Sequence, residues 1–305
     1  MIRLFVLLLL IGCAQSADNS EPTRDASDTD PSSGFDLNFG SDEHFDIITW
    51  NIETFPKHSR TVEYVINSLS SLEPDAVAIQ EVWDTQAIRE VRNALPGYEL
   101  YLPPDIDDTG LAWLYNGATV TLLKPGYQIF VDDNYDFSYR PPAVLEIRFK
   151  EQELVLINLH LKCCGDGIIG DDYWDEERRR QNAAQLLDDF IRQQFGERSV
   201  IVLGDWNDSI EEPESTNVFW ELIQKSDHFQ FADMEIALGN PDAWSFPYYP
   251  SHLDHILISN ELFEAFEKPS ASVQTILIED ALPGGSDEYW NYLSDHRPVG
   301  LQLEL

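Results

Sequence analysis

Short apolar runs of strand length, separated by turn residues, recur along most of the chain and constrain its fold more than any other feature. They are rich in Val, Ile and Leu, and several lack the strict alternation of apolar and polar residues that a half-exposed strand shows. Such runs are typical of strands covered on both faces. In chain order they read FDIITWNI, DAVAIQEV, ATVTLL, AVLEIRF, LVLINLHL, SVIVLGDW, LDHILIS and PVGLQLEL.

Two segments between these runs have the spacing of amphipathic helices. In DEERRRQNAAQLLDDFIRQQ the apolar residues recur every three or four positions, and acids come early, as the helix dipole prefers. RTVEYVINSLSSL carries a similar apolar stripe. Many strands with a few helices predict an α/β fold in which two packed sheets are flanked by helices. The 305 residues, 43% of them hydrophobic, suffice for one large domain.

The N-terminal segment MIRLFVLLLLIGCAQS has the form of an export signal. One Arg precedes an apolar run from Leu4 to Ile11 that is too short to span a bilayer. The sequence LIGC at residues 10–13 resembles the bacterial lipobox, in which the cysteine receives diacylglycerol and becomes the mature N-terminus. This predicts a lipoprotein signal peptide over residues 1–12 and a stable membrane anchor at Cys13. The alternative is a simple secretory signal in which Cys13 is incidental.

Residues 13–44 are rich in acids and Ser and poor in large apolar side chains, which predicts an acidic flexible tether before a folded domain at 45–305. The whole chain has 55 Asp and Glu against 19 Lys and Arg, a formal net charge of −36. Such a field repels polyanions and argues against nonspecific binding of DNA through a basic surface. Alternatively, the acidity is a solubility feature of an organism that lives in high salt, where the repulsion is screened.

Cys163 and Cys164 are adjacent in the stretch LKCCGDG. Neighbouring cysteines do not suit an ordinary structural bridge, because the ring they close is small. A metal or redox role would need more partners than this stretch shows. Two packed thiols and a vicinal disulfide that shapes the loop both fit the sequence.

Polar side chains stand where the predicted strands end or begin. Strand-end residues gather at one rim of a sheet, so groups that are distant in sequence converge there. Each residue alone has an ordinary explanation, as a cap, a turn acid or a buried histidine, but the series predicts a functional site. Its members are Asn51, Glu81, His160, Asp205, Asn207, Asp254, His255, Asp295 and His296.

The residue types in this series favour a divalent cation. Carboxylate and amide oxygens suit Mg²⁺, which keeps other coordination positions for water and substrate phosphate. A cation there polarises a phosphoryl oxygen, while an acid–histidine pair transfers protons. Zinc is less favoured, since the sequence has no HExxH and no paired Cys-x-x-Cys spacing. We therefore expect Mg²⁺, with Mn²⁺ or Ca²⁺ as alternatives.

Six short motifs, in this order, resemble those of the endonuclease/exonuclease/phosphatase superfamily over about residues 45 to 305: TWNI, IQEV, NLHLK, GDWND, SHLDHILIS and SDHRPV. This metal-dependent group contains pancreatic-type deoxyribonuclease, abasic-site endonucleases, bacterial sphingomyelinases and inositol-polyphosphate phosphatases. The resemblance implies a four-layer α-β-β-α sandwich of the deoxyribonuclease-like type and hydrolysis of phosphoesters. This agrees with the two packed sheets predicted from the strand pattern.

The resemblance also implies a role for each residue. Glu81 would be the principal metal ligand, with Asn51 and Asp295 beside the metal. Asp205 would align or deprotonate the attacking water, and Asn207 would hold the substrate phosphate.

For the remaining residues the resemblance implies proton transfer and contact with the phosphate. His296, paired with Asp254, would contact the scissile phosphate and take part in proton transfer. His160 matches the second histidine of the deoxyribonuclease branch. Arg140, in FSYRPPAVLEI, resembles the phosphate-contacting arginine of that branch, although an ordinary surface role is the alternative.

The shared motifs hold a phosphate and leave the rest of the substrate open. We expect an exported, membrane-anchored nuclease of the bacterial cell envelope. The alternatives are a hydrolase of phospholipid head groups or small phosphate esters and, in another class, a noncatalytic binding lipoprotein. Aromatic residues in DDYWDEE and DAWSFPYYP could stack bases or contact lipid or sugar, although packing is the commoner role of tryptophan. The sequence points to no protein partner.

Overall fold

The computed structural model describes residues 35–305, which form two β-sheets packed face to face with helices on the outside. The predicted four-layer α/β arrangement is confirmed. The signal peptide, Cys13 and residues 14–34 of the predicted tether lie outside the described residues. Within residues 35–305, no helix is both long enough and apolar enough to cross a bilayer.

The strands are β1 (Phe45–Phe55), β2 (Ala76–Val82), β3 (Tyr98–Tyr101), β4 (Ala112–Asn116), β5 (Val120–Leu122), β6 (Tyr127–Gln128), β7 (Ala143–Phe149), β8 (Gln152–His160), β9 (Ser199–Asp205), β10 (Phe229–Phe231), β11 (Asp254–Ser259), β12 (Ser272–Thr275) and β13 (Val299–Leu303). The α-helices are α1 (Thr61–Leu72), α2 (Thr85–Ala94), α3 (Ile106–Thr109), α4 (Glu176–Phe190), α5 (Trp220–Gln224), α6 (Met234–Ala237), α7 (Phe263–Phe266) and α8 (Gly285–Tyr292). A π-helical turn (Ile191–Phe195) continues α4, and 3-10 turns lie at Pro241–Ala243, Asn260–Leu262 and Ile278–Ala281.

Each sheet has one parallel pair of strands at its centre. The first sheet has the order β12-β13-β1-β2-β4-β3, and β1 and β2 are parallel. The second has the order β10-β11-β9-β8-β7-β5, with β6 also paired to β7, and β8 and β9 are parallel. The carboxyl ends of each parallel pair therefore lie at the same edge of its sheet.

The apolar residues form three layers, which explains why the strands lack a simple alternation. In β9, Ile201 and Leu203 belong to the cluster between the two sheets. Val200 and Val202 point the other way, into the cluster beneath α4. Because both faces of the strand are covered by apolar layers, nearly every side chain is apolar.

The folded part begins before the predicted boundary at residue 45. Phe39 is buried in the layer between the first sheet and its helices, and Phe35 packs edge-on against Tyr64 with ring centroids 5.9 Å apart. The N–H of Gly40 donates to the carbonyl oxygen of Leu72 at 2.8 Å. A tether that extends to residue 44 is therefore too long, since residues 35–44 include apolar side chains that the domain buries.

Of the two arrangements that fit Cys163 and Cys164, the structure has the vicinal disulfide. It lies in the loop that follows β8. The guanidinium of Arg180 on α4 donates to the carbonyl oxygens of Lys162 and Cys164 at 2.6 and 2.7 Å, which fixes this loop to the helix.

Candidate active site

Three predicted site residues stand side by side across neighbouring strands of the second sheet. Asp254, the first residue of β11, is the direct antiparallel partner of Asp205, the last residue of β9. Asp205 is in turn the parallel partner of His160, the last residue of β8. The register of three strands therefore places an acid, an acid and a histidine in one row at the sheet edge.

Gly204 allows β8 and β9 to approach each other immediately before this row. A Cβ atom on Gly204 would lie 2.0 Å from the carbonyl oxygen of Leu159, a backbone atom that cannot move aside. The glycine in the stretch VLGDWND is thus required by the close approach of the two backbones. It brings Asp205 beside His160, with Asp205 Oδ2 3.3 Å from His160 Nε2.

The first sheet contributes Asn51 and Glu81 from its parallel pair of strands. The side-chain amide of Asn51 donates to Glu81 Oε1 at 3.2 Å and to Asp205 Oδ2 at 3.0 Å, so it links the two sheets. The second oxygen of Glu81 accepts the N–H of Thr54 at 2.8 Å. Glu81 has a φ of 63°, a left-handed conformation that costs a non-glycine residue on the order of 1–3 kcal/mol and is often found at functional sites.

His296 lies between two carboxylates. Its Nδ1 is 2.7 Å from Asp254 Oδ2, and its Nε2 is 3.9 Å from Asp205 Oδ2. The backbone around it is also fixed, because the Ser294 hydroxyl donates to the carbonyl oxygen of Asn51 at 2.7 Å and accepts the N–H of His296 at 3.0 Å. The pair predicted from the sequence, His296 with Asp254, is present in the structure.

The environment shifts the pKa values of these groups in ways that suit acid–base chemistry. Burial would lower the pKa of His296, but the carboxylates of Asp254 and Asp205 outweigh it and raise the pKa to about 10. Burial raises the pKa of Asp205 to about 7, against the opposing effect of His296. His296 is therefore an imidazolium near neutral pH, and the carboxyl group of Asp205 gains and loses its proton in the same pH range.

His160 and Arg140 lie together at the other end of the row. Burial lowers the pKa of His160 well below its usual value, and the positive charges of Arg140 and His296 add to the shift. His160 is therefore a neutral imidazole. Arg140 Nε donates to the carbonyl oxygen of His160 at 2.9 Å, and Arg140 Nη2 donates to the carbonyl oxygen of Leu161 at 2.6 Å. These are neutral acceptors, so the charge of Arg140 remains available to an anion.

Asn207 lies in the loop directly after β9, with a φ of 56°. Its N–H donates to Asp205 Oδ1 at 3.0 Å, and its side-chain amide donates to the carbonyl oxygen of Leu161 at 3.2 Å. The turn chemistry that Asp and Asn commonly provide is thus present here. Arg180 holds the same loop through Asp208, at 2.8 Å from Nε to Oδ2.

The residues at this edge fit a divalent cation. Burial raises the pKa of Asp295 to about 6, and Glu53 and Glu81 contribute to the rise against the opposing effect of His296. The pKa of Asp205 is also raised by burial, and the negative charge of Glu81 contributes to the rise. Half-buried carboxylates that repel one another supply the hard oxygen ligands that Mg²⁺ or a similar ion prefers. Glu81 and Asp295 are the residues that would hold it, with Glu53 nearby.

A second cluster of buried acid and histidine, Asp233 with His252 and His255, is a hydrogen-bonded network and does not fit a metal. His252 Nδ1 accepts the N–H of Ser245 at 3.2 Å, so the proton of this ring is on Nε2, which faces Asp233 at 3.0 Å. His255 has acceptors on both sides, Asp233 Oδ2 at 2.6 Å and the carbonyl oxygen of Asp208 at 2.9 Å. It is therefore an imidazolium paired with a carboxylate, and the negative charge of Asp233 contributes to raising its pKa.

The structure brings together all eight residues that were predicted as catalytic or metal-binding, and it places Arg140 at their margin. His255, which belonged to the same strand-end series, points to the opposite face of β11 from Asp254, because neighbouring side chains alternate along a strand. Sequence reasoning missed Glu53 and Ser294. Phe246, in the aromatic stretch DAWSFPYYP, lies with its ring centroid 4.8 Å from that of His296. Glu53 follows Asn51 by two residues, and this proximity is the one signal that could have found it.

A sequence model of the Endonuclease/Exonuclease/phosphatase family matches residues 48–296. The chain belongs to this family. Members of the family hydrolyse phosphoesters and typically depend on a divalent metal, and the cluster of acids and histidines described above is consistent with both properties. Among curated protein sequences, none matches this chain significantly.

Solved structures of the family share the fold. A Danio rerio TDP2, in complex with a single-strand DNA product, aligns with a TM-score of 0.63 at 16% identity over 87% of this chain and 100% of its own. The human Nocturnin catalytic domain with bound sulfate gives 0.54 at 18% identity over 86% and 94%. A mannosyl-6-phosphatase from Bacteroides thetaiotaomicron gives 0.55 at 16% identity over 86% and 100%. At these identities the likeness establishes the fold alone.

Proposed function

We propose that the protein is a Mg²⁺-dependent phosphodiesterase, an exported and membrane-anchored nuclease. The observation that carries the hydrolytic part is the continuous set of contacts from Glu81 through Asn51 to Asp205, and from Asp205 past His296 to Asp254. These contacts support a site between the two sheets in which Glu81 would bind the metal, Asp205 would titrate near neutral pH and His296 would carry a positive charge.

The residues divide the reaction among them. A bound Mg²⁺ would polarise the phosphoryl group and stabilise the charge that develops on it. Asp205, with its pKa near 7, is placed to orient and deprotonate a water. His296, held as an imidazolium by Asp254, donates from Nε2 to a phosphoryl oxygen. Neutral His160 beside Asp205 and the cation Arg140 supply further contacts to the phosphate.

The choice of a nucleic acid rests on Arg140 and on the two histidines. Arg140, whose hydrogen-bond acceptors are carbonyl oxygens, lies beside a neutral and a charged imidazole and suits a phosphate diester flanked by other charged phosphates. The three solved structures named above have different ligands or activities on one fold, so the fold alone does not distinguish nucleic acid, lipid head group and sugar phosphate as the substrate. Hydrolysis of small phosphate esters or phospholipid head groups is the second candidate.

The deciding experiment compares substrates with one protein preparation. A soluble form that begins at Ala14 would be assayed on plasmid DNA, single-stranded RNA, sphingomyelin vesicles and a sugar phosphate, with Mg²⁺ or with EDTA, at low and high salt. We expect metal-dependent cleavage of nucleic acid that Glu81→Gln abolishes. Cleavage of the lipid or the sugar phosphate alone would contradict the proposed substrate but agree with the proposed mechanism. A preparation inert towards all four with Mg²⁺, Mn²⁺ and Ca²⁺ would indicate a noncatalytic binding protein.

Anchoring has a separate test, because it depends on the lipobox-like sequence at residues 10–13 and not on the domain. The full chain is expected to incorporate labelled palmitate and to sediment with membranes. Cys13→Ser should abolish the label and release the protein to the soluble fraction. Retention of the variant on membranes would refute the lipid anchor.

A further inference from the structure

Two clusters of exposed and half-buried aromatic side chains adjoin the active site without a part in its hydrolytic chemistry. The first, which we name the His296-side platform, consists of Phe246, Tyr248, Tyr249 and Trp290. Tyr248 stacks on Trp290 with ring centroids 4.1 Å apart and an interplanar angle of 18°, and Tyr249 lies nearly parallel to Phe246 at 6.3 Å. Phe246 contacts His296, with ring centroids 4.8 Å apart. Tyr248 and Tyr249 are 58% and 68% exposed.

The second cluster, the Arg140-side platform, consists of Tyr135, Tyr139, Tyr173 and Trp174. Tyr135 and Tyr173 stack with ring centroids 4.3 Å apart and an interplanar angle of 12°, and Trp174 meets Tyr173 edge-on at 5.0 Å. The guanidinium of Arg179 covers the Tyr135 ring at 4.1 Å. Tyr139 directly precedes Arg140. Tyr139, Tyr173 and Trp174 are each more than half exposed, at 58%, 63% and 66%.

Strand order places the two platforms at opposite ends of the catalytic row. The segment with Phe246 leads into β11, and the segment with Tyr139 leads into β7, while β9 and β8 lie between these strands. Three strand spacings of about 4.8 Å separate β11 from β7 by roughly 14 Å. Asp205 and His160 end the two strands in the middle. A phosphate held over the row therefore has an aromatic surface on each side.

Large exposed aromatic patches on a soluble protein mark contact surfaces. Stacked pairs keep the rings in fixed orientations, so binding a third ring costs little conformational entropy. The site between the platforms is polar and charged, and therefore does not form one continuous apolar surface with them. This favours a ligand in which flat, weakly polar rings alternate with phosphates.

We propose that the two platforms stack the bases on either side of the scissile phosphate, and that the substrate is single-stranded nucleic acid in preference to duplex. In a duplex the faces of the bases are covered by their neighbours, whereas in a single strand they are free to stack on aromatic side chains. The acid excess, 55 against 19 basic residues, leaves little affinity to be obtained from phosphate neutralisation. Stacking supplies affinity that does not depend on net charge. This inference rests on the nuclease function proposed above.

The test uses the full chain and three substrates that share one sequence. These are a labelled single strand, the same strand annealed to its complement, and the same strand with tetrahydrofuran abasic nucleotides on both sides of one phosphate. We expect kcat/KM to fall about tenfold or more from single strand to duplex, and cleavage at the marked phosphate to fall similarly in the abasic strand. Tyr249→Leu and Trp174→Leu should each raise KM about tenfold for the intact strand but not for the abasic one. Leu238→Ala, which removes an exposed apolar side chain on α6's C-terminal side, is the matched control.

A second measurement detects stacking without cleavage. A single strand that carries 2-aminopurine next to the scissile phosphate is titrated with the Asp205→Asn protein, and stacking on a platform should quench its fluorescence. Trp174→Leu combined with Asp205→Asn should reduce the quenching. Equal kcat/KM for single strand and duplex, or equal losses on the intact and abasic strands, would overturn the stacking inference while the nuclease function stands. Hydrolysis of only lipid or sugar phosphates would overturn the nuclease function and this inference together.

Discussion

Asp205 and Asp254 face each other directly across the antiparallel strands β9 and β11, and His296 lies against both. Like charges in opposed positions of a sheet destabilise it. Here the imidazolium of His296, 2.7 Å from Asp254 and 3.9 Å from Asp205, compensates the two carboxylates. The strand pairing thus places two carboxylates against His296 and raises its pKa, while burial is the main cause of the raised pKa of Asp205 and Asp254 adds to it.

The first prediction concerns Asp254→Asn. The substitution removes the carboxylate that most raises the pKa of His296, so the imidazolium should lose its proton at a lower pH. We expect hydrolysis to fall roughly 100-fold and the alkaline limb of the pH–rate profile to move to lower pH. Asp287→Asn, at an exposed position of α8, should leave both unchanged. An alkaline limb that stays in place would show that His296 is not the group responsible.

The second prediction concerns the metal. Glu81→Gln keeps the shape of the side chain and an acceptor for Thr54 but removes its charge. Activity should fall about a thousandfold, since a bound cation contributes several kcal/mol to the transition state. The rise in melting temperature on addition of Mg²⁺ should shrink as well. Glu90→Gln on the exposed face of α2 provides the control, and an undiminished Mg²⁺ shift in Glu81→Gln would place the ion elsewhere.

The third prediction links stability to pH in the metal-free protein. Burial raises the pKa of Asp205 to about 7 and that of Asp295 to about 6, above their usual value near 4. The folded state then binds more protons than the unfolded state between about pH 4 and 7, so stability should fall as pH rises through this range. Mg²⁺ should restore more stability at pH 8 than at pH 5. Melting temperatures measured with and without Mg²⁺ test this.

Asp205→Asn and Asp295→Asn serve as internal controls for that measurement, because each should flatten the pH slope of the metal-free protein. A slope unchanged by either substitution would attribute the effect to the general repulsion of the acidic surface.

The fourth prediction concerns the buried network of Asp233. Breaking a buried ion pair by removing one partner leaves the other charge uncompensated, which costs about 3–5 kcal/mol. Asp233→Asn and His255→Gln should each lower the free energy of unfolding by about this amount in urea titrations. His228→Gln, at an exposed position, should have no effect. Since the pKa of His255 is raised, its contribution is complete below about pH 6.5 and is lost as pH rises through its folded-state value.

Much of the catalytic row was predictable because it depends on local pattern. Each run that ends in a polar residue is a strand whose end lies at a sheet edge, and the order of motifs identified the family. Helix α2 was not predicted, although Asp84 caps it by accepting from the N–H groups of Gln86 and Ala87 at 2.8 and 3.1 Å. Such a cap was the available signal. Strand β4 was also missed. Its apolar stretch LAWLYNG is short, and helix α3 separates it from its neighbour β3 in the sequence.

The sequence by itself determined eight of the thirteen strands in residues 35–305, including those that carry the site, and the set of chemical groups at their ends, because backbone periodicity and residue type are local properties. Only the tertiary structure decided which neighbouring groups share a pocket. Asp254 faces the active site while His255, one residue later, faces Asp233 on the other side of the sheet. The pairing of β9 with β11 and the approach of the two sheets determine these contacts. The pKa shifts follow from burial and from charged groups distant in sequence, and both arise only once the layers have packed.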